Sequence, residues 1–153
     1  MTEKKYHAPD IGETFTDDYG KYSLYEAFQC QTSGGIRYTN KNNFVILVDS
    51  DNSLYDDRVD GKTIFYHGTG EDDQGFKCNV PSPRLYPGRK RNGFAFNAKV
   101  KDSDSILLYF EKPKRNHLVF RHKAEYVSHT YKKTPNREGK MRKTIIFKLK
   151  IIK

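Results

Sequence analysis

The distribution of hydrophobic and polar residues along the chain is that of a protein built mainly from short β-strands. Two continuous apolar runs of strand length, FVILV and ILLYF, are bounded by polar residues. Near the C-terminus, apolar side chains recur at every second position with lysines between them, which is the period of a half-buried strand. The segments that predict strands are residues 44–48, 63–66, 106–110, 117–120, 125–128 and 145–151.

Helical periodicity is restricted to residues 19–28, which predict one short amphipathic helix. Residues 80–93 contain three prolines, two glycines and four basic side chains, and they predict an exposed basic loop. Strands and helices do not alternate as in βαβ units, so we expect an α+β fold: a twisted β-barrel, closed or nearly closed, of about six strands with one or two short helices. We expect a single domain over residues 1–153, with its core at about residues 11–152.

Composition excludes several classes of protein. Only 35% of the 153 residues are apolar, and the longest apolar runs have five residues, far below the roughly 18 needed to cross a membrane. The N-terminus lacks the apolar stretch of a signal peptide. Cys30 and Cys78 show neither zinc-finger spacing nor a disulfide framework. We therefore expect a cytoplasmic protein with no membrane partner.

Charge is distributed unevenly between the two halves of the chain. Residues 1–75 carry 7 Lys and Arg against 14 Asp and Glu, a net charge of −7, whereas residues 76–153 carry 21 against 5, a net charge of +16. A strongly basic half indicates a polyanionic partner, of which nucleic acid is the first candidate. A lysine-rich solvated surface is the alternative interpretation.

No local pattern indicates catalysis or a bound metal. The five histidines lack the spacing of a metal-binding motif, and no nucleophile stands beside a base in a known signature. We expect no cofactor, no metal and no catalytic residue.

Residues 34–75 combine aromatic side chains, carboxylates and glycine-rich turns. Tyr55 is followed by Asp56 and Asp57, and Tyr66 precedes a glycine-rich turn. Two rings with a carboxylate between them suit a base extruded from a duplex, because rings stack on the base and a carboxylate accepts from the N4 amine of cytosine. The same residues also fit core tyrosines and solvated turn aspartates, so the pattern alone leaves both interpretations open.

Several motifs in a shared order resemble the SRA-like domains of the PUA superfamily. They are residues 31–36 (QTSGGI), 54–57 (LYDD), 66–70 (YHGTG), 106–111 (ILLYFE), Tyr126 and residues 139–149 (GKMRKTIIFKL). The resemblance covers about residues 11–152. Domains of this kind read modified cytosine, and many lie at the N-terminus of HNH-type modification-dependent restriction endonucleases.

The resemblance implies a base pocket at matching positions of this chain. These positions are Gly34, Gly35, Ile36, Tyr55, Asp56, Asp57, Tyr66 and His67. The two tyrosine rings would enclose a flipped base. Asp57, or Asp56 beside it, would accept a hydrogen bond from the Watson–Crick edge of that base, and the glycine loop would form one wall of the pocket. His67 stands where the family often has Thr, so the resemblance leaves 5-methylcytosine and 5-hydroxymethylcytosine both open.

The basic half supplies candidates for contacts with the DNA backbone, which position a duplex without reading its sequence. They are Arg84, Arg89, Lys90, Arg91, Lys112, Lys114 and Arg115. The residues of an HNH nuclease do not occur after residue 76, so a nuclease would be a domain outside this chain or a separate effector chain. We therefore expect a non-enzymatic reader that flips a modified base in double-stranded DNA and acts as the specificity domain of a modification-dependent restriction system.

Two other functions remain open on the sequence. PUA-like barrels also bind modified RNA, because aromatic rings stack on bases of either nucleic acid. A small nuclease or hydrolase would use the same pocket with Glu71, Asp72 or Asp73 and a metal, although no complete catalytic constellation can be assembled.

Overall fold

The computed structural model describes residues 8–30, 35–38, 44–50, 58–68, 74, 80–81, 90–91, 95–136 and 138–152. Within them the chain forms ten β-strands and two short α-helices. The strands are β1 (Thr14–Phe15), β2 (Ile36–Tyr38), β3 (Phe44–Ser50), β4 (Arg58–Asp60), β5 (Thr63–His67), β6 (Val80–Pro81), β7 (Lys90–Arg91), β8 (Ile106–Lys114), β9 (His117–Pro135) and β10 (Met141–Ile152). The helices are α1 (Leu24–Phe28) and α2 (Ala95–Lys101).

Eight strands belong to one sheet. Seven of them follow the order β2-β3-β8-β9-β10-β5-β4, and β1 pairs with β9 outside this path. Neighbouring strands are antiparallel except β3 and β8, which are parallel and separated by a long connection that contains β4 to β7 and α2. Strands β6 and β7 form a small ladder of their own.

Both faces of the central strands are buried. On one face, Phe28 of α1 packs with Ile46 of β3 in a cluster that also contains β1, β8 and β9 residues. On the other face, Leu47 belongs to a second cluster with Tyr66 and Phe147. Side chains alternate across a strand, so the continuous apolar run of β3 supplies both clusters.

The sheet is curled around the second cluster. Leu47 of β3 and Tyr66 of β5 share that cluster although β8, β9 and β10 lie between their strands in the sheet. In the described residues no ladder joins the two edge strands, β2 and β4, so the curled sheet is open. The sequence predicted a closed or nearly closed barrel of about six strands. The described residues do not confirm a barrel: their sheet has eight strands, and its two edges, β2 and β4, are strands of three residues each.

The predicted strands 44–48, 63–66, 106–110 and 145–151 are confirmed, each as part of a strand of equal or greater length. Residues 117–120 and 125–128, predicted as two strands, form one continuous strand, β9. Of the residues between them, His122, Lys123 and Ala124 stay paired with β8, and the register shifts by a bulge between Tyr109 and Phe110. This bulge breaks the alternation of apolar residues without ending the strand.

The two helices depart from the sequence prediction in opposite ways. The predicted helix 19–28 begins only at Leu24, because the side chain of Ser23 caps it by accepting from the backbone N–H of Glu26 at 3.0 Å. Gln29, at φ +56°, ends it. Helix α2 was not predicted, since its seven residues are too few to show a clear period, and it is held through Val100, which is fully buried.

Candidate nucleic-acid interface

Tyr66 is the predicted pocket residue whose contacts the structure defines most fully. Alternation along β5 turns Tyr66 toward the interior of the curled sheet, where it is 2% exposed. Its hydroxyl lies 2.9 Å from the carbonyl oxygen of Gly35 and 2.7 Å from that of Val48, and it donates to these acceptors. Tyr66 therefore ties β5 to β3 and to the segment that precedes β2.

Gly35 stands where this approach leaves no room for a side chain. A Cβ atom at Gly35 would lie 2.9 Å from the hydroxyl oxygen of Tyr66, closer than Cβ atoms approach in proteins. The carbonyl of Gly35 also accepts from the backbone N–H of Val48 at 2.7 Å, and the next residue, Ile36, is buried in the same cluster as Tyr66. Two parts of the predicted pocket, the glycine loop and the second ring, are thus in direct contact.

His67 follows Tyr66 on β5, and both side chains are buried. The ladder with β10 sets Tyr66 beside Phe147 and His67 beside Ile146. Neighbouring residues of a strand point to opposite faces, so His67 and the ring of Tyr66 lie on opposite faces of β5. A role for His67 as a pocket wall stays a prediction.

The remaining predicted pocket residues are outside the described residues: Gly34, Tyr55, Asp56 and Asp57. The connection that carries the last three starts directly after β3, the strand whose Val48 accepts from Tyr66. The carboxylates weighed for a nuclease alternative, Glu71, Asp72 and Asp73, also lie outside the described residues.

Gln74 links β5 to β10 through hydrogen bonds that the sequence did not reveal. The chain leaves β5 at Gly68, whose N–H donates to the carbonyl of Ile145 at 2.8 Å, and returns at Gln74, whose N–H donates to the carbonyl of Lys143 at 2.8 Å. The Gln74 side chain donates to the carbonyl of Gly68 and accepts from the N–H of Ile145, each at 2.9 Å. Both ends of the segment 69–73 are therefore fixed to β10.

We expect Gly68→Ala to lower the free energy of unfolding by about 1–3 kcal/mol, because the new methyl group overpacks this closure. Its Cβ would lie 2.8 Å from Oε1 of Gln74, 3.0 Å from Oδ1 of Asn97 and 3.2 Å from Cβ of Ile145, and the first two residues are buried. Thermal unfolding of Gly20→Ala is the matched control, because its Cβ would meet only an exposed carboxylate at 3.0 Å. Equal destabilisation of the two variants would contradict the packing described for Gly68.

Asp17 joins two cations from different parts of the chain. Its carboxylate accepts from the guanidinium of Arg37 at 2.5 and 3.1 Å and from the ammonium of Lys112 at 2.7 Å. Burial raises the pKa of Asp17, but the hydrogen bonds and positive charges of Arg37 and Lys112 outweigh this effect and hold the pKa below its ordinary value. The side chains of Asp17 and Arg37 are 5% and 2% exposed, so this is an internal ion cluster.

The predicted backbone-contacting residues divide into three groups. Lys112 is 26% exposed and donates to Asp17, so part of its charge is neutralised within the protein. Lys114 and Arg115 are exposed where β8 turns into β9. The third group lies on the basic segment 80–93. The structure describes the backbones of Lys90 and Arg91, which form β7, but not their side chains, and Arg84 and Arg89 are outside the described residues.

In the part of the chain that the structure describes, no group of three or more His, Cys, Asp or Glu side chains is placed to hold a metal ion. Within the same residues, no helix is long and apolar enough to span a bilayer. Cys30 is buried, and burial raises the pKa of its thiol to about 11.

Known structures resemble this chain over nearly its whole length. The sulfur-binding and SRA domains of ScoMcrA, complexed with phosphorothioated DNA, match with a TM-score of 0.64 and 20% identity over 94% of this chain. MspJI restriction endonuclease in complex with a 27-mer oligonucleotide matches with a TM-score of 0.64 and 11% identity over 97%. The SRA domain of SUVH5 in complex with methylated CHH DNA matches with a TM-score of 0.56 and 17% identity over 98%.

These similarities show that the chain has the fold of SRA domains, as the sequence motifs predicted. It spans 40% of the ScoMcrA chain that comprises the sulfur-binding and SRA domains and 43% of the MspJI chain, but 94% of the SUVH5 SRA domain. No family model and no curated protein sequence matches the chain.

Proposed function

We propose, from the SRA fold of the chain, that it binds duplex DNA and recognises a modified base that is flipped out of the helix. The observation that carries the proposal is the extent of the similarity to the SUVH5 SRA domain, a structure bound to methylated DNA: it takes in 98% of this chain and 94% of that one. The structural unit that resembles this chain is thus nearly the whole of that DNA-bound domain.

The contact between Gly35 and Tyr66 supports the proposed location of the base pocket. These residues belong to separate motifs of the sequence, and the hydroxyl of Tyr66 lies 2.9 Å from the carbonyl of Gly35. In the proposed complex the rings of Tyr66 and Tyr55 stack on the flipped base, and Asp57 accepts from its N4 amine. Stacking and this hydrogen bond offset the cost of unpairing the base.

In the proposed complex, the residues that select the modified base differ from those that bind the DNA backbone. Lys114 and Arg115, exposed at the turn between β8 and β9, bind phosphates and position the duplex, whereas the pocket distinguishes modified from plain DNA. Phosphate contacts release counterions, so binding to plain DNA weakens steeply as salt rises.

We further propose that the chain is the specificity domain of a modification-dependent restriction system and that it does not cleave DNA itself. ScoMcrA and AspBHI, whose structures match, are described as phosphorothioation-dependent and modification-dependent restriction endonucleases, and this chain spans 28% and 42% of their lengths. A nuclease would be supplied by a domain outside this chain or by a separate effector chain.

A binding screen tests the proposed function. It uses one duplex sequence with a single site occupied by cytosine, 5-methylcytosine, 5-hydroxymethylcytosine or glucosylated cytosine, together with N6-methyladenine and phosphorothioate duplexes. We expect one cytosine modification to bind at least about tenfold more tightly than plain DNA, a difference of about 1.4 kcal/mol. Equal affinity for all duplexes, or tighter binding of modified single-stranded RNA, would overturn the proposal. Cleavage of DNA by the pure chain with Mg²⁺ or Mn²⁺ would overturn the assignment as a non-catalytic reader.

A further inference from the structure

The ends of β9 and β10 extend past the rest of the sheet as a two-stranded ribbon. Strand β8 pairs with β9 only as far as Ala124, and β5 pairs with β10 only from Ile146 onward. Beyond these points residues 131–135 pair with residues 141–145 in regular antiparallel register. We call these two segments, together with the turn residues 136 and 138–140 between them, the ribbon tip.

The ribbon tip is strongly basic. The sequence from residue 131 to residue 145 contains six Lys and Arg residues and one acidic residue. Lys132, Lys133 and Lys140 are exposed, and no ion pair involves any of them in the part of the chain that the structure describes. The charges of these three lysines are therefore not neutralised by described carboxylates.

Two lysines stand directly opposite each other on one face of the ribbon tip. Lys133 pairs with Lys143 in the ladder, and like charges at directly opposite positions destabilise a sheet. Lys143 also lies with its Nζ 4.7 Å from the centre of the Tyr131 ring, and that ring is 48% exposed. A polyanion bound to this face would meet the side chain of Lys133 and the exposed ring of Tyr131.

Internal hydrogen bonds hold the ribbon tip in a defined shape. On the opposite face, the guanidinium of Arg142 donates to the carbonyl oxygens of Thr134 at 3.1 Å and of Pro135 at 2.8 Å. The side-chain oxygen of Asn136 accepts from the N–H of Lys140 at 3.0 Å and closes the turn between the strands. The lysines are thus presented by a preorganised scaffold, which lowers the entropic cost of binding.

We propose that the ribbon tip is a contact surface for the phosphate backbone of duplex DNA. Lys133, Lys140 and Lys143 bind phosphates, and the exposed ring of Tyr131 packs against the adjoining sugars. The choice of duplex DNA as the partner rests on the proposed function. The ribbon tip also contacts Gln74, since the backbone N–H of Gln74 donates to the carbonyl of Lys143, so one duplex is expected to reach both the ribbon tip and the nearby residues of the proposed pocket.

The test is the salt dependence of binding by a variant in which Lys133, Lys140 and Lys143 are all replaced by glutamine. Each phosphate contact contributes about 0.9 to the slope of log affinity against log salt, so we expect the slope to become shallower by about 3. Affinity for modified and plain duplexes is expected to fall by the same factor, because phosphate contacts carry no base information.

The matched control replaces Lys21, Lys62 and Lys150 by glutamine. It removes the same charge from exposed lysines outside the ribbon tip, and Lys62 and Lys150 lie at the far end of β10. We expect it to leave the salt slope nearly unchanged. Both variants are compared with the wild-type chain in thermal unfolding, to confirm that each is folded.

The outcomes separate this inference from the proposed function. If the ribbon-tip variant keeps the wild-type salt slope, or changes it no more than the control does, the ribbon-tip contact is overturned even where a modified base is still preferred. If the wild-type chain shows no preference for a modified base but the ribbon-tip variant loses slope on duplex DNA, the contact stands and the base-reading function fails.

Discussion

Replacement of Tyr66 by alanine is expected to abolish the preference for modified over plain duplex DNA, while weak, salt-sensitive binding persists. The ring is the proposed stacking surface for the flipped base, and stacking contributes about 1–3 kcal/mol per base. A loss of this size lowers the ratio of the two affinities by about fivefold to 150-fold. The phosphate contacts do not involve Tyr66, so binding to plain DNA is expected to remain.

Alanine at this position also removes a ring that is 2% exposed, at a cost of about 3–5 kcal/mol in the free energy of unfolding. Tyr66→Leu fills most of the space and tests stacking in a folded protein. Tyr109→Leu is its matched control, because Tyr109 is 1% exposed in the same cluster but lies on β8, outside the predicted pocket. We expect similar loss of stability in the two leucine variants and loss of base preference only at Tyr66. Full preference in Tyr66→Leu, or equal loss of modified and plain binding, would contradict the pocket.

Replacement of Asp17 by alanine is expected to lower the free energy of unfolding by about 3 kcal/mol, because it removes the carboxylate that faces a buried guanidinium. The side chain of Arg37 is 2% exposed, whereas Lys112 is 26% exposed and is partly solvated in either case. Urea unfolding of Asp17→Ala and of the double variant Asp17→Ala/Arg37→Met measures the effect. We expect the double variant to be more stable than the single one, and a less stable double variant would contradict the ion cluster.

The same carboxylate predicts how stability depends on pH. The pKa of Asp17 is lower in the folded protein than its ordinary value, so its contribution is complete above the pKa of the unfolded chain and is lost as pH falls through the folded pKa. We expect the stability difference between the wild-type chain and Asp17→Asn to be largest near neutral pH and to shrink below about pH 4. A difference that stays constant from pH 7 to pH 3 would show that the ion cluster does not set it.

The strands that were predicted correctly are those whose burial produces a local pattern of apolar residues in the sequence. The run 44–48 is apolar at every position because β3 packs on both faces, and residues 145–151 alternate because β10 packs mainly on one. Closure of the sheet was not predictable in this way. It depends on whether edge strands meet after the sheet has curled, and no local pattern of residues encodes that meeting.

The sequence motifs named two residues that the structure places in contact, whereas no motif marked Gln74 or Asp17. Gly35 and Tyr66 were both named from the sequence, and the structure places them in contact. Gln74 was missed, because its partners are the backbone groups of Gly68 and Ile145, which any residue offers. Asp17 was missed for another reason. Its partners Arg37 and Lys112 lie on β2 and β8, on either side of β3 in the sheet, so no local sequence pattern links the three residues.

The central claim, that this chain flips and reads one modified base in duplex DNA, is tested most directly by titrating two duplexes that differ at a single cytosine. Each carries 2-aminopurine as the 3′ neighbour of that cytosine, so that loss of stacking on the flipped base is seen as a rise in fluorescence. We predict tighter binding of the modified duplex by at least about tenfold, with a fluorescence rise that saturates at one chain per duplex and is absent for the plain duplex and for Tyr66→Leu. Equal affinity for both duplexes, with no fluorescence rise for any modification in the screen, would contradict the claim.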